Sequence, residues 1–340
     1  MTLDRRKKTT AMLLVLGVAF LLLFFLELRW AQFWPLSIRE VWDSLTGKDE
    51  NYRIVVVDIN LPRVLFGLVV GANLAIAGAV MQALFKNPMA SPYTLGLSSG
   101  ASLGAAIGIL FPIALIPEIV TVPILAFIFC MGTMFVVYSL ARVGTQTHME
   151  TLLLAGIAIA ALAQAVVSFL IYFAGEKMSE IVLWGMGSLT VSHPWSKLPL
   201  VLVLSLVGII VMLLHSKDLN AIMLGDNHAM DLGIDVKRTR LTLLVASSLV
   251  TATAVCFVGT IGFVGLVIPH IMRIILGPDN RLLMPMCVLG GGVYLVACDY
   301  FARILSDTLG VLPIGVVTSL IGAPYFIYLL RRRKREVGWI

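Results

Sequence analysis

Few residues of this chain could do chemistry, and none has the spacing that catalysis or metal binding needs. No G-x-x-x-x-G-K-[ST] phosphate loop is present; Gly47-Lys48 stands in a polar stretch with no strand before it. The cysteines Cys130, Cys256, Cys287 and Cys298 are far apart in apolar surroundings, which reads as packing rather than as a disulfide or zinc framework. His148, His193, His215, His228 and His270 form no ligand pattern, and no H-E-x-x-H, Ser/His or paired-Asp arrangement occurs. His270 follows Pro269 and reads as a structural hydrogen bonder at a broken helix. No metal and no bound cofactor is expected. One polar row remains: Gln164, Ser168 and Tyr172, four apart in an apolar run, share a helix face. In lipid such a row turns to a cavity or to another helix, so these three are pathway candidates.

The elements that position them follow from composition. The chain has 340 residues, 59% apolar and 13% charged, against roughly 45–50% and 25% in soluble domains. Water cannot be the solvent for that surface; an all-α polytopic membrane protein is implied. Apolar segments lie near 9–28, 62–84, 94–111, 119–141, 151–173, 196–214, 240–260, 264–276, 282–303 and 312–330, about ten spans in one transmembrane domain over 1–340. The first begins after Arg5-Arg6-Lys7-Lys8 and ends at Glu27-Leu28-Arg29-Trp30 without a small-x-small cleavage site, so it reads as a retained span. With the N-terminus inside, 17 of the 25 Lys and Arg fall on inner segments. That bias places both termini in the cytoplasm and explains the net charge of +6 without nucleic acid.

Three connections exceed simple turns. Residues 30–61 carry Trp30, Trp34 and Trp42, suited to an interfacial belt; 174–195 hold an outer interfacial helix near Met178 to Leu189; 216–239 are hydrophilic and inner. Gly96, Gly100, Gly104 and Gly108 align on one face of the third span, as do Gly67 and Gly71 on the second, a pattern for close helix packing. Asp299 and Asp307 lie towards the outer end of the ninth span, leaving no carboxylate at mid-membrane. An ion-coupled secondary transporter, the alternative class, needs such groups.

Several stretches resemble the FecCD-type permeases of iron-siderophore, haem and vitamin B12 importers. They are Leu61-Pro62-Arg63, Gly71–Gly78, Met81–Pro92, Leu152–Gly156, Trp184–Ser188, Leu224-Gly225 through Leu232-Gly233, Gly262–Arg273, Leu312–Thr318 and Gly322-Ala323-Pro324. The resemblance, strongest at Gly262–Arg273, spans roughly Leu61 to Leu330. It implies a type II ABC importer permease of the cell inner membrane for a metal chelate, with a ferric siderophore foremost and haem or cobalamin also in class. The implied partners are a second permease subunit (identical or a paralogue), two cytoplasmic ATPase subunits that use ATP and Mg, and an extracytoplasmic substrate-binding protein. The path would run at the permease dimer interface, lined by the fifth span, the short helix after it and the tenth span.

By the same resemblance, Arg63 and Arg303 at the outer face meet carboxylates of the binding protein, a task suited to guanidinium forks. Asn60 stands where some members have a further arginine. The loop 216–239, with Leu224, Gly225, Asp226, Ala229, Leu232 and Gly233, is the ATPase coupling loop, in which Ala229 and Gly233 leave room for close contact. Asn87 and Met89 form one side of a cytoplasmic gate, with Met149 and Glu150 opposite.

Overall fold

A computed structural model describes residues 3–30, 35–112, 116–143, 146–147, 149–309 and 312–337. Trp34 and His148, considered above, lie outside the described residues, as does the side chain of Asp307. The chain is almost wholly helical. Its first half comprises α1 (Leu3–Leu28), α2 (Ile38–Leu45), α3 (Leu61–Leu84), α4 (Leu97–Leu110), α5 (Glu118–Ala141), α6 (Met149–Phe173) and α7 (Met178–Met186). The second half comprises α8 (Pro194–Leu214), α9 (Ser216–Leu224), α10 (Asp226–Asp231), α11 (Val236–Val258), α12 (Val264–Leu276), α13 (Asn280–Leu309) and α14 (Ile314–Val337). A two-residue antiparallel ladder, Arg142–Val143 with Gln146–Thr147, turns the chain between α5 and α6.

Each of the ten expected spans is a helix. Among the described residues, seven are long and apolar enough to cross a bilayer alone: α1, α3 extended back to Ile54, α5, α6, α8, α11 and α13. The shorter apolar helices α4, α12 and Ile314–Tyr328 of α14 supply the other three. They are short because the backbone breaks beside them. Gly96 (φ 76°) separates α4 from a 3-10 turn at Pro92–Leu95, and Phe263 (φ 66°) starts α12 from the left-handed region. The α11 helix begins at Val236, four residues before the expected start, because the Asp235 side chain caps it by accepting from the Arg238 N–H at 3.0 Å. Two elements in 30–61 had no counterpart in the sequence reading: α2, closed by a Ser37–Glu40 capping box, and a π-helix, Ile54–Asn60, that leads into α3.

The buried centre is α3, packed on α13, α11 and α12. Lipid supplies no hydrophobic force between helices, so attraction depends on close backbone approach. A Cβ at Gly71 would overlap the Gly291 carbonyl of α13, and one at Gly78 would overlap that of Gly265 in α12. The glycine row of α4 works likewise, except for Gly96: Gly100 and Gly104 face the α5 backbone at Phe129 and Leu125 and Gly108 faces Val122, whereas Gly96 precedes the helix with positive φ and faces Gly156 and Ala160 of α6. It is a packing seam. The α6 and α8 helices lie at the periphery and leave Leu154, Phe169, Leu200 and Val203 exposed.

Candidate functional site

At the end of the bundle expected to face outward, α1, α3 and α13 converge on a cluster of two arginines and two carboxyl groups. Pro62 stands where the π-helix passes into α3, a turn in which the Val57 carbonyl accepts from Trp195 Nε1 at 3.1 Å, and Arg63 follows beside α13. Arg63 donates from Nε and Nη2 to the two Asp299 oxygens at 2.7 and 2.8 Å and from Nη1 to Thr190 Oγ1 at 2.9 Å. Arg303, one turn beyond Asp299, lies 3.2 Å from Glu27 Oε2 and 3.6 Å from Asp299, and donates to Asn60 Oδ1 at 2.9 Å. Asn60 in turn donates to the Trp30 carbonyl at 2.8 Å.

The side chains of Arg303, Asp299 and Glu27 are 7%, 3% and 0% exposed, whereas that of Arg63 is 21% exposed. Charges this deep persist only when paired. The structure therefore corrects the picture of two outward-facing forks: Arg303 faces inward because its helix face turns to α1, and only Arg63 keeps a solvent edge. Glu27 and Asn60 were missed as members of the cluster. The available signal was a carboxylate in the last turn of a span.

Behind this cluster a groove runs between α4, α6 and α7. Its cavity of about 320 Å³ is lined by Ser98, Ser99 and Ser102 of α4, Gln164 of α6, Trp184 to Met186 at the end of α7, and Thr260. A second cavity of about 550 Å³ shares Ser98, Met186 and Thr260 and adds Tyr93 and, from α14, Ser319. None of these lining residues is charged. Such a wall offers hydroxyls and an amide to a cargo without trapping it by charge. The bend that forms the groove is held by backbone and side-chain bonds: Ser188 N–H to Val258 at 2.7 Å, Ile314 N–H to Gly187, and Thr260 Oγ1 to Gly185. The short interfacial helix ends at Met186 rather than Leu189 because Gly187 takes φ 75°. Of the expected polar row, Gln164 lines the groove. Ser168 is exposed and Tyr172 is 82% exposed beside Phe169 and Phe173 on the outer face of α6, and neither lines it.

At the end expected to face inward, α9 and α10 form a helical pair bent at Gly225 (φ 145°), a conformation open only to glycine. Leu224 and Leu232 are 77% and 71% exposed, and Met230 is exposed between them. Ala229 is fully buried against Ala221, Ile222 and Val236, so its small side chain makes room for α9 and not for a partner. Gly233 has open space around it and φ 80°, serving the turn into α11. Asp226 is tied to Arg240 at 2.7 Å.

Met149 and Glu150 line an inner-face cavity of about 1000 Å³ with Asp226, Met230, Lys237 and Arg240. Asn87 and Met89 are not among its lining residues; there Asn87 Oδ1 accepts from the Met89 N–H at 3.0 Å, bracing the turn across Pro88. His270 packs edge-on to Tyr325, His215 closes α8 through the Val211 carbonyl at 2.9 Å, and no metal-ligand cluster occurs among the described residues.

A helical membrane permease is the class this fold and this uncharged groove define. The FecCD transport family pattern matches residues 19–332, and the chain belongs to that family of ABC-transporter permeases. It is 42% identical over 302 residues to the cobalamin import system permease protein BtuC of Halobacterium salinarum, covering 88% of this chain and 80% of that one. The hemin transport system permease protein HmuU of Yersinia pestis is 39% identical over 95% of this chain and 97% of its own. The Fe(3+) dicitrate transport system permease protein FecD of Escherichia coli is 37% identical over 88% and 92%. A solved chain described as an inward-facing conformation of a metal-chelate type ABC transporter superposes with a TM-score of 0.82 at 30% identity, covering 95% of this chain and 99% of that one.

Proposed function

We propose that this chain is the permease subunit of a binding-protein-dependent importer for a metal chelate, working as one of two permease copies with two ATPase subunits on its inner face. The observation that carries this reading is the exposed Leu224 and Leu232 on a hydrophilic inner helix pair. The core of the chain does not cover them, which suits a protein partner. The chain has no phosphate loop, so ATP and Mg are handled by that partner. The cytoplasmic membrane of the cell, with both termini inside, is the location consistent with the distribution of basic residues.

The cargo class is the one named for its relatives, a cobalamin, haem or iron chelate, with a ferric siderophore as the first candidate. A groove of hydroxyls and one amide suits a bulky chelate whose metal is already enclosed by its own ligands. At the outer face Arg63, with its solvent edge, is the docking residue for acidic side chains of a binding protein, and Arg303 supports it from behind through Asp299. Asn87, Met89, Met149 and Glu150 are the gate candidates.

Proteoliposomes holding the chain, its ATPase and its binding protein are the test. Uptake of a ferric siderophore, haem or cobalamin that requires ATP on the ATPase side is expected. Uptake by this chain alone under a proton or sodium gradient overturns the reading.

A further inference from the structure

A polar junction joins α9 to the inner end of α13. Asn220 on α9 accepts with Oδ1 from the Asn280 backbone N–H at 2.9 Å and from Asn280 Nδ2 at 2.8 Å. Its own Nδ2 donates to Asp279 Oδ1 at 2.7 Å, and Asn280 Nδ2 also reaches Met223 Sδ at 3.2 Å. The same Asp279 caps α13: it accepts from the Arg281 N–H at 3.1 Å and pairs with the Arg281 guanidinium at 3.0 Å. Asn280 is fully buried. One short stretch of chain thus starts α13 and grips α9 at once.

The far end of α13 carries Asp299 and Arg303 of the outer cluster. At 1.5 Å per residue, Asp299 stands about 28 Å along the helix from Asn280, roughly the thickness of the hydrocarbon core. Between the two ends, α13 lies backbone to backbone on α3 at Gly71 and Gly291. Packing that tight passes a rigid shift along the helix more readily than it absorbs one. The α9 helix turns into α10 at the Gly225 bend and packs on it through Ala221 and Ile222, and the α13 junction adds polar bonds that hold it from the side.

We propose that Asn220, Asp279 and Asn280 are positioning residues that fasten α9 to α13, so that a displacement of α13 at the outer ionic cluster reaches Leu224 and Leu232. The transmission step rests on the coupling-loop reading above; the fastening does not, and the two are measured separately. In the permease alone, spin labels at Leu224→Cys and Leu289→Cys report the α9–α13 separation, since the four native cysteines are buried. A narrow distance distribution is expected, broadened by Asn220→Leu and Asn280→Leu and kept by Asp279→Asn, which still accepts from Asn220. In the complex with ATPase and binding protein, Asn280→Leu lowers stimulation of ATP hydrolysis by the binding protein about tenfold and leaves basal hydrolysis unchanged. Asp279→Asn retains most of the stimulation.

Asn280→Leu keeps the backbone bond to Asn220, so Asn220→Leu, which removes every side-chain bond that Asn220 makes, decides: a narrow distribution there overturns the fastening. A broadened one with wild-type stimulation overturns the transmission. Failure of the wild-type permease to bind any ATPase overturns the transmission through the reading it rests on, while the spin-label result still decides the fastening. Should Asn280→Leu fail to fold, Asn280→Ser removes the Nδ2 donor without adding an apolar branch, and the same outcomes apply.

Discussion

Arg63 and Asp299, 236 residues apart in the chain, form a two-pronged ion pair at 2.7 and 2.8 Å that closes α3 onto α13 at the outer end of the molecule. Asp299 also faces Arg303, so removing its carboxylate leaves two guanidiniums beside each other without the group that bridges them. Asp299→Ala is expected to destabilise the fold by about 3 kcal/mol, the usual cost of orphaning a buried charge. A thermal midpoint in detergent equal to that of the wild type would contradict the cluster. The double variant Arg63→Glu/Arg303→Glu would bring four carboxylates together and is expected not to fold. Arg63→Gln, at the exposed edge, is therefore the variant in which to measure lost affinity for a binding protein.

The inner helix pair makes a cleaner surface prediction. Leu224 and Leu232 support nothing beneath them, so Leu224→Glu/Leu232→Glu should change folding stability by no more than about 0.5 kcal/mol per site. The same change should abolish co-purification of the permease with its ATPase. Ala229→Trp, in contrast, should unfold the pair, because Ala229 is enclosed by Ile222 and Val236. A stable Ala229→Trp protein would show that the buried placement is wrong.

What the sequence made legible follows physical scale. Seven spans were readable as long apolar runs and the three shorter ones by the glycines and prolines that break the chain beside them, and the seam Gly100–Gly104–Gly108 because small residues recur every four. The orientation of Ala229 was not readable, since a six-residue helix shows no periodicity from which to assign faces. Nor was the ion cluster: Glu27, Arg63, Asp299 and Arg303 come together only when three distant helices pack. The π-helix at Ile54–Asn60 escaped because its composition matches that of the α3 span it extends. Of the row Gln164, Ser168 and Tyr172, spacing correctly placed all three on α6. Spacing alone could not say that the groove narrows to Gln164 while Tyr172 remains outside.

The groove supplies a flux prediction. Ser98 lines both cavities, on the side of α4 away from its glycine seam. Ser98→Trp should fill the shared space and reduce uptake by at least about tenfold, with a thermal midpoint near that of the wild type. Ser168→Trp, on the exposed face of α6 and lining neither cavity, should leave uptake nearly unchanged. Wild-type uptake by Ser98→Trp would mean that the cargo does not pass beside Ser98.

Acid should loosen α9 in a particular window. The Arg281 guanidinium and, after it, the Asn220 amide hold the Asp279 carboxyl down at about 2 from its ordinary 3.8. A depressed carboxylate contributes stability that is complete above its unfolded value and is lost as pH falls towards its folded one. The hold on α9 is therefore constant from neutral pH down to about pH 5 and weakens between about pH 4 and 2 as Asp279 takes up a proton. Hydrogen exchange of the α9 amides, corrected for the intrinsic rate, should stay flat over the first range and rise over the second. Asp279→Asn should remove the acid-induced rise attributable to this group and still protect α9 partly at neutral pH, because the amide oxygen can accept from Asn220. A rise centred near pH 6 would exclude the Asp279 carboxylate as its source. Exchange in Asp279→Asn that matches the wild type at every pH would show that the carboxylate does not hold α9 at all.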